Sequence, residues 1–150
     1  MHTRLTAALT LTTLALLAAL SPTPVSAAAV SSTRFSFAQY DSPGDDTGSN
    51  ASLNAEWVKV SNHSSQAKTL TGWTIRDTAN HVYRFGAFKL GAGKSVRLHT
   101  GKGSNTRTDR YWGESWYVWN NTGDKAILRN SNGVTVDTCS WPDGDGNTAC

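Results

Sequence analysis

Glutamate is scarce in this chain: Glu56 and Glu114 are the only two. A paired-carboxylate glycosidase needs two acids held about 5–9 Å apart across a cleft. Glu114 sits beside aromatics with no evident partner, and Glu56 shares a strand face with Val58 and Val60. That placement predicts a partly buried structural acid at Glu56, paired with a basic residue. Histidine is sparse as well. Beyond the N-terminal segment there are His63, His81 and His99, about eighteen residues apart. Metal-binding histidines come at spacings of two or four, so these read as solvated surface side chains. No Gly-x-Ser-x-Gly elbow, His-Glu-x-x-His helix or phosphate loop occurs, which removes the signatures of serine hydrolases, zinc peptidases and nucleotide hydrolases. The expectation is a protein without catalytic activity and without a cofactor.

Long apolar runs are absent too, except one at the start. Residues 1–29 begin with a weakly basic start carrying only Arg4, continue through an apolar run from Leu5 to Leu20, and end in small residues around Val25-Ser26-Ala27. That order predicts a secretory signal peptide. The run is interrupted by threonines and short for a bilayer span. No arginine pair suggests a twin-arginine route, and no nearby cysteine offers a lipid anchor. The expected product is a secreted, extracellular domain over 30–150. The net charge is +3, and setting Arg4 aside lowers it by one. Charge of that size does not argue for a nucleic-acid partner by itself.

Both cysteines lie at the end, Cys139 and Cys150. In an oxidising compartment they allow one internal pairing, which would close the loop "SWPDGDGNTA" and contribute about 2–3 kcal/mol. The alternative is two free or intermolecular thiols. Within that loop Asp143, Asp145 and Asn147 alternate like the opening of a calcium loop. The position needing glycine is Thr148, however, and the closing acid is missing. A tight turn explains the glycines without metal, and the acidic loop Asp41, Asp45 and Asp46 would have to lie nearby to complete a site. Asn50, Asn62 and Asn120 head glycosylation sequons, read as unused.

No sustained helical period follows the leader. Short alternating runs broken by turn residues predict an all-β sandwich of eight or nine strands. They include 34–40, 55–62, 69–77, 81–85, 94–100, 124–130 and 134–139, the last two joined by a hairpin turn "NSNG". In 94–100, Val96 and Leu98 face inward and Arg97 and His99 outward. The longest irregular stretch, "GKGSNTRTDR" (101–110), carries Lys102, Arg107 and Arg110 against one acid, Asp109. Loops on a rigid sandwich are where binding residues gather.

The segments "NAEWVKVSN", "LTGWTIRD", "HVYRF", "LGAGKSVRLHTG" and "VWNNTGDKAILRNSNG" occur in that order. Together they resemble the lamin tail domain, in the form found in secreted bacterial proteins, from about Phe35 to Asp137. The resemblance implies an immunoglobulin-like sandwich of two antiparallel sheets that tethers its host to partners, DNA among them in some lamins. The aromatic stretch "YWGESWYVWNN" (111–121) then divides. "YWG" and "VWNN" match framework positions, whereas Trp116 and Tyr117 lie in a variable insert beside the basic loop. Two binding roles follow as expectations. Lys102, Arg107 and Arg110 would contact phosphates while Trp116 and Tyr117 stack on bases. Alternatively, the same two rings form a platform for an extracellular glycan, cell-wall or plant polysaccharide. A protein partner is the third candidate.

Overall fold

The computed structural model describes residues 29–150, so the expected leader over 1–29 lies almost wholly outside the described residues. Each strand is short because turn formers interrupt the alternation every few residues. In chain order the elements are β1 (Thr33–Gln39), α1 (Asn50–Ala55), β2 (Trp57–Asn62), β3 (Lys68–Thr69), β4 (Thr74–Arg76), β5 (Val82–Arg84), β6 (Lys89–Leu90), β7 (Ser95–His99), β8 (Asp109–Tyr111), β9 (Gly123–Arg129), β10 (Thr135–Pro142) and β11 (Asn147–Ala149). One sheet runs β11-β1-β2-β7-β8, the second β10-β9-β4-β5, and a small third pairs β3 with β6. The two large sheets form an immunoglobulin-like sandwich.

Eleven strands stand among the described residues, rather than eight or nine. The expected strand over 69–77 is two, split at the Thr71-Gly72 turn. β11 lies hidden inside the cysteine loop, where composition reads only as turn. The expected all-antiparallel pairing also has one exception. β8 runs parallel to β7, which the long 101–108 connection permits by carrying the chain back to the same end of the sheet.

Alternation decides which residues face inward. Phe35, Val58, Val60, Ile75, Val96 and Leu128 are buried between the sheets. At two points the ladder slips: β1 shifts against β2 between Phe35 and Phe37, and β10 against β9 between Thr135 and Asp137. The Phe35 N–H donates to the Asp137 carboxylate at 2.8 Å, joining one irregularity to the other. A backbone donor that leaves the ladder needs an acceptor, and this one ties the two sheets together.

Cys139 and Cys150 are joined, with Cα atoms 5.5 Å apart. The bridge holds β11 against β1, where Phe37 faces Ala149 and Gln39 faces Asn147. Among the described residues no helix is long and apolar enough to cross a membrane.

Candidate functional site

The turn between β6 and β7 carries a lysine on each side, Lys89 and Lys94, and the 105–110 segment runs beside it. Pairing β8 parallel to β7 sets Arg110 opposite Leu98. Between turn and segment lies a groove of about 870 Å³, whose lining includes Phe88, Lys89, Lys94, Arg107 and Arg110 and no acidic side chain. The Arg110 guanidinium lies 4.0 Å from the centroid of the Phe88 ring, a cation–π contact that holds it in the wall. Among the described residues, none of these four cations lies within ion-pair distance of a carboxylate.

The one acid of this loop is occupied elsewhere. Asp109 meets the Arg97 Nε at 3.2 Å and the His99 Nε2 at 2.9 Å, and accepts from the Thr108 hydroxyl at 2.6 Å. Burial works to raise its pKa, but the hydrogen bonds from His99 and Thr108 and the charge of Arg97 hold it below the usual carboxylate value. Asp109 therefore stays ionised and neutralises Arg97, leaving the groove positive.

Lys102 does not join Arg107 and Arg110 in that lining. Its backbone fastens the short helix instead. Asn50 and Asn54 donate their side-chain amides to the Lys102 carbonyl at 3.0 and 2.9 Å, and the Lys102 N–H returns to the Asn50 Oδ1 at 2.7 Å. Lys89, Lys94 and Phe88 fall outside the sequence-based expectation. The lysines flanking "LGAG" were the available signal, but only the fold brings that turn beside 105–110.

The aromatic stretch divides as its framework suggests. Trp119 meets Trp112 edge-on with centroids 5.8 Å apart and Trp141 at 5.5 Å. Trp141 in turn stacks on Tyr40 at 4.9 Å, nearly parallel. These rings are packed scaffold. Trp116 is 64% exposed and rests on Gly48, where a Cβ would come within 2.6 Å of the ring and φ is +67°. Only glycine suits that position. Tyr117 sits edge-on to Trp116 at 5.5 Å, but its hydroxyl is anchored to the Ser52 hydroxyl and accepts the Gly48 N–H at 3.3 Å. Neither ring lines the basic groove. The five residues expected to act together thus occupy separate places: Arg107 and Arg110 in the groove, Lys102 at the helix, and Trp116 with Tyr117 over Gly48.

Asp143 and Asp145 are exposed in the bend before β11, and Asn147 begins that strand. The Gly146 carbonyl accepts the Tyr40 and Asp41 N–H groups at 2.9 and 3.0 Å, with φ +83° at that glycine. Asp41 does approach this loop, through its backbone. No three acids, histidines or cysteines converge into a metal-holding group among the described residues.

Two expectations about ionisable groups need correction. Glu56 is fully buried but has no basic partner. Its Oε1 accepts from the Thr100 hydroxyl and from the Val118 and Trp119 N–H groups. These three donors, not a cation, meet that oxygen, and they tie the start of β2 to the aromatic stretch. Burial pushes its pKa up to about 7 against the lowering effect of those hydrogen bonds. His81 and His99 are not freely solvated. His81 Nδ1 contacts the buried Asp77 carboxylate at 2.6 Å. His99 sits between the Asn54 carbonyl at 2.7 Å and Asp109. His99 is nominally outward on β7, but α1 and β8 cover it.

Fold and groove define an immunoglobulin-like β-sandwich that carries a cationic cleft. The family model of the Lamin Tail Domain matches residues 26–143, and the chain belongs to that family. No curated protein matches it.

Proposed function

We propose that this chain is a secreted, non-catalytic binding module of the lamin tail type that holds an extended polyanion, DNA foremost, in the groove between the β6–β7 turn and the 105–110 segment. The observation that carries the reading is the groove's composition: four cations and one ring, Phe88, with no acid in the lining. Cations spaced along a cleft suit the repeating charge of a phosphate backbone, and such binding releases counterions. The ring offers an apolar surface between them.

The absence of catalysis is supported by how two of the candidate groups, His99 and Glu56, are committed. Both ring nitrogens of His99 face oxygen acceptors, leaving neither free to take a proton from a substrate. Glu56 is inaccessible. Secretion is supported by the signal-like sequence of residues 1–29 and by a disulfide, which persists in oxidising compartments.

A second reading is favoured by Trp116. An exposed indole propped on a glycine is the geometry of a sugar platform, and it stands apart from the cations. The two readings part on salt. Retention on immobilised DNA that fades as salt rises, and that survives Trp116→Ala, supports the groove. Salt-resistant pull-down on insoluble glycan, abolished by Trp116→Ala, supports the platform.

A further inference from the structure

On the outer face of the β10-β9-β4-β5 sheet, three arginines converge. Ile75 and Leu128 are fully buried and point into the core, so alternation turns Thr74, Arg76 and Arg129 outward. Tyr83 packs toward the core, which turns Val82 and Arg84 outward on β5. Register then aligns them. Thr74 stands opposite Arg84 on one side and opposite Arg129 on the other, with Arg76 one pleat further along β4.

Between these side chains lies a pocket of about 190 Å³, closed at one end by the Asn130–Gly133 hairpin turn and containing no acidic side chain in its wall. Among the described residues, no carboxylate lies within ion-pair distance of any of the three guanidinium groups. Two further details set this apart from a solvated charged face. The Arg84 Nη1 donates to the Gly72 carbonyl at 2.9 Å, which fixes its head at the rim. The Arg129 Nε is buried and meets no acceptor of the protein. A buried N–H without a protein partner is costly, and a bound water or anion beside the guanidinium offsets that cost. Three like charges gathered on one sheet face repel one another as well.

We propose that this pocket is a binding site for a single compact oxyanion, a phosphate or sulfate group. Guanidinium groups present planar forks that match such oxygens two at a time, and the Thr74 hydroxyl on the pocket floor adds a neutral donor. The pocket is far smaller than the 870 Å³ groove, shares no residue with it, and suits one anionic group rather than a polymer. Val82, 42% exposed, forms an apolar edge on which the carrier of that group can rest. The ligand is then a free ion or the terminal group of a phosphate or sulfate monoester. This site is independent of the groove and stands or falls separately from it.

Proton–nitrogen correlation spectra of the whole domain, including the arginine Nε–H signals, provide the test. Inorganic phosphate, phenyl phosphate and, as control, sodium chloride at equal ionic strength are each titrated. A saturable shift of the Arg129 Nε–H with phosphate, absent with chloride, is expected. It should weaken about tenfold in Arg84→Gln or Arg76→Gln, as losing one charge-assisted hydrogen bond implies, and should persist in Arg107→Ala. Tighter binding of phenyl phosphate assigns the site to a monoester, and equal binding assigns it to the free ion. An Arg129 signal that follows chloride as it follows phosphate, or a shift that both glutamine variants retain in full while folded, overturns the proposal.

Discussion

The Glu56 carboxyl group, between α1 and β2, accepts the backbone N–H of Val118 at 3.0 Å, sixty-two residues away in sequence. The same oxygen takes the Thr100 hydroxyl and the Trp119 N–H. One buried acid thus fastens the β7 exit and the aromatic stretch to the centre of the larger sheet. Without it, two backbone N–H groups inside the sandwich would lack acceptors. Its other oxygen, Oε2, is buried with no partner in the protein, and burial without a compensating donor disfavours the charged form.

That arrangement makes stability depend on pH. The folded-state pKa of Glu56 stands at about 7, above its ordinary value of 4.5. Between those values the unfolded chain releases a proton that the folded chain retains. Stability therefore falls as pH rises from about 4.5 to about 7 and levels off above. The loss is on the order of 3 kcal/mol. Glu56→Gln, which keeps an acceptor for Thr100 and Val118, should flatten this part of the curve in denaturant unfolding at a series of pH values.

His81 adds a smaller slope of the same sign. Its hydrogen bond to Asp77 raises its pKa above 6.5, so its contribution is complete below that value and fades as pH climbs through the raised one. With the His81 side chain 41% exposed, solvent screening keeps the effect modest. His81→Ala should remove only this upper slope. Asp77→Ala should cost more at every pH, on the order of 1–2 kcal/mol, because Asp77 Oδ1 also accepts the Ala79 and His81 N–H groups at 3.0 and 2.8 Å.

The division of the aromatic stretch predicts a contrast between two tryptophans three residues apart. Trp119, 3% exposed, sits between Trp112 and Trp141, and truncation to alanine should cost about 3–5 kcal/mol. Trp116→Ala should cost less than about 1 kcal/mol. Thermal and denaturant melts of the two variants check this directly.

Reducing the Cys139–Cys150 bond, or replacing both cysteines with alanine, should lower stability by about 2–3 kcal/mol. Amide exchange should then rise first in β11, whose pairing with β1 depends on the closed loop. Uniform exchange across β11 and β9 after reduction would contradict this.

Much of the sandwich was legible in the sequence because its strands alternate cleanly. Val58, Val60, Val96 and Leu98 were placed inward by period alone, and all are buried. Two-residue strands such as β3 and β6 carry no period, and β11 is masked by glycines that serve its preceding turn. The parallel pairing of β8 depends on where a long loop returns, which no local pattern records. The site was harder to read for a related reason. Arg107 and Arg110 were visible as a basic loop, but Lys89 and Lys94 join them only through the fold. Lys102, adjacent in sequence, is carried off by its backbone contacts with Asn50 and Asn54. Glu56 was placed on the inward face by period, but its partners were not: a hydroxyl and two backbone N–H groups leave no trace in a sequence.

The salt dependence of duplex DNA binding tests the central claim most directly. With the four cations of the groove engaged, the plot of log affinity against log salt should have a slope of about −3 to −4, at about −0.9 per phosphate neutralised. The Arg107→Ala, Arg110→Ala double variant should reduce that slope by about 2, while Trp116→Ala leaves it unchanged. No retention at low salt, or salt-independent binding that vanishes with Trp116→Ala, would contradict the groove as the binding site.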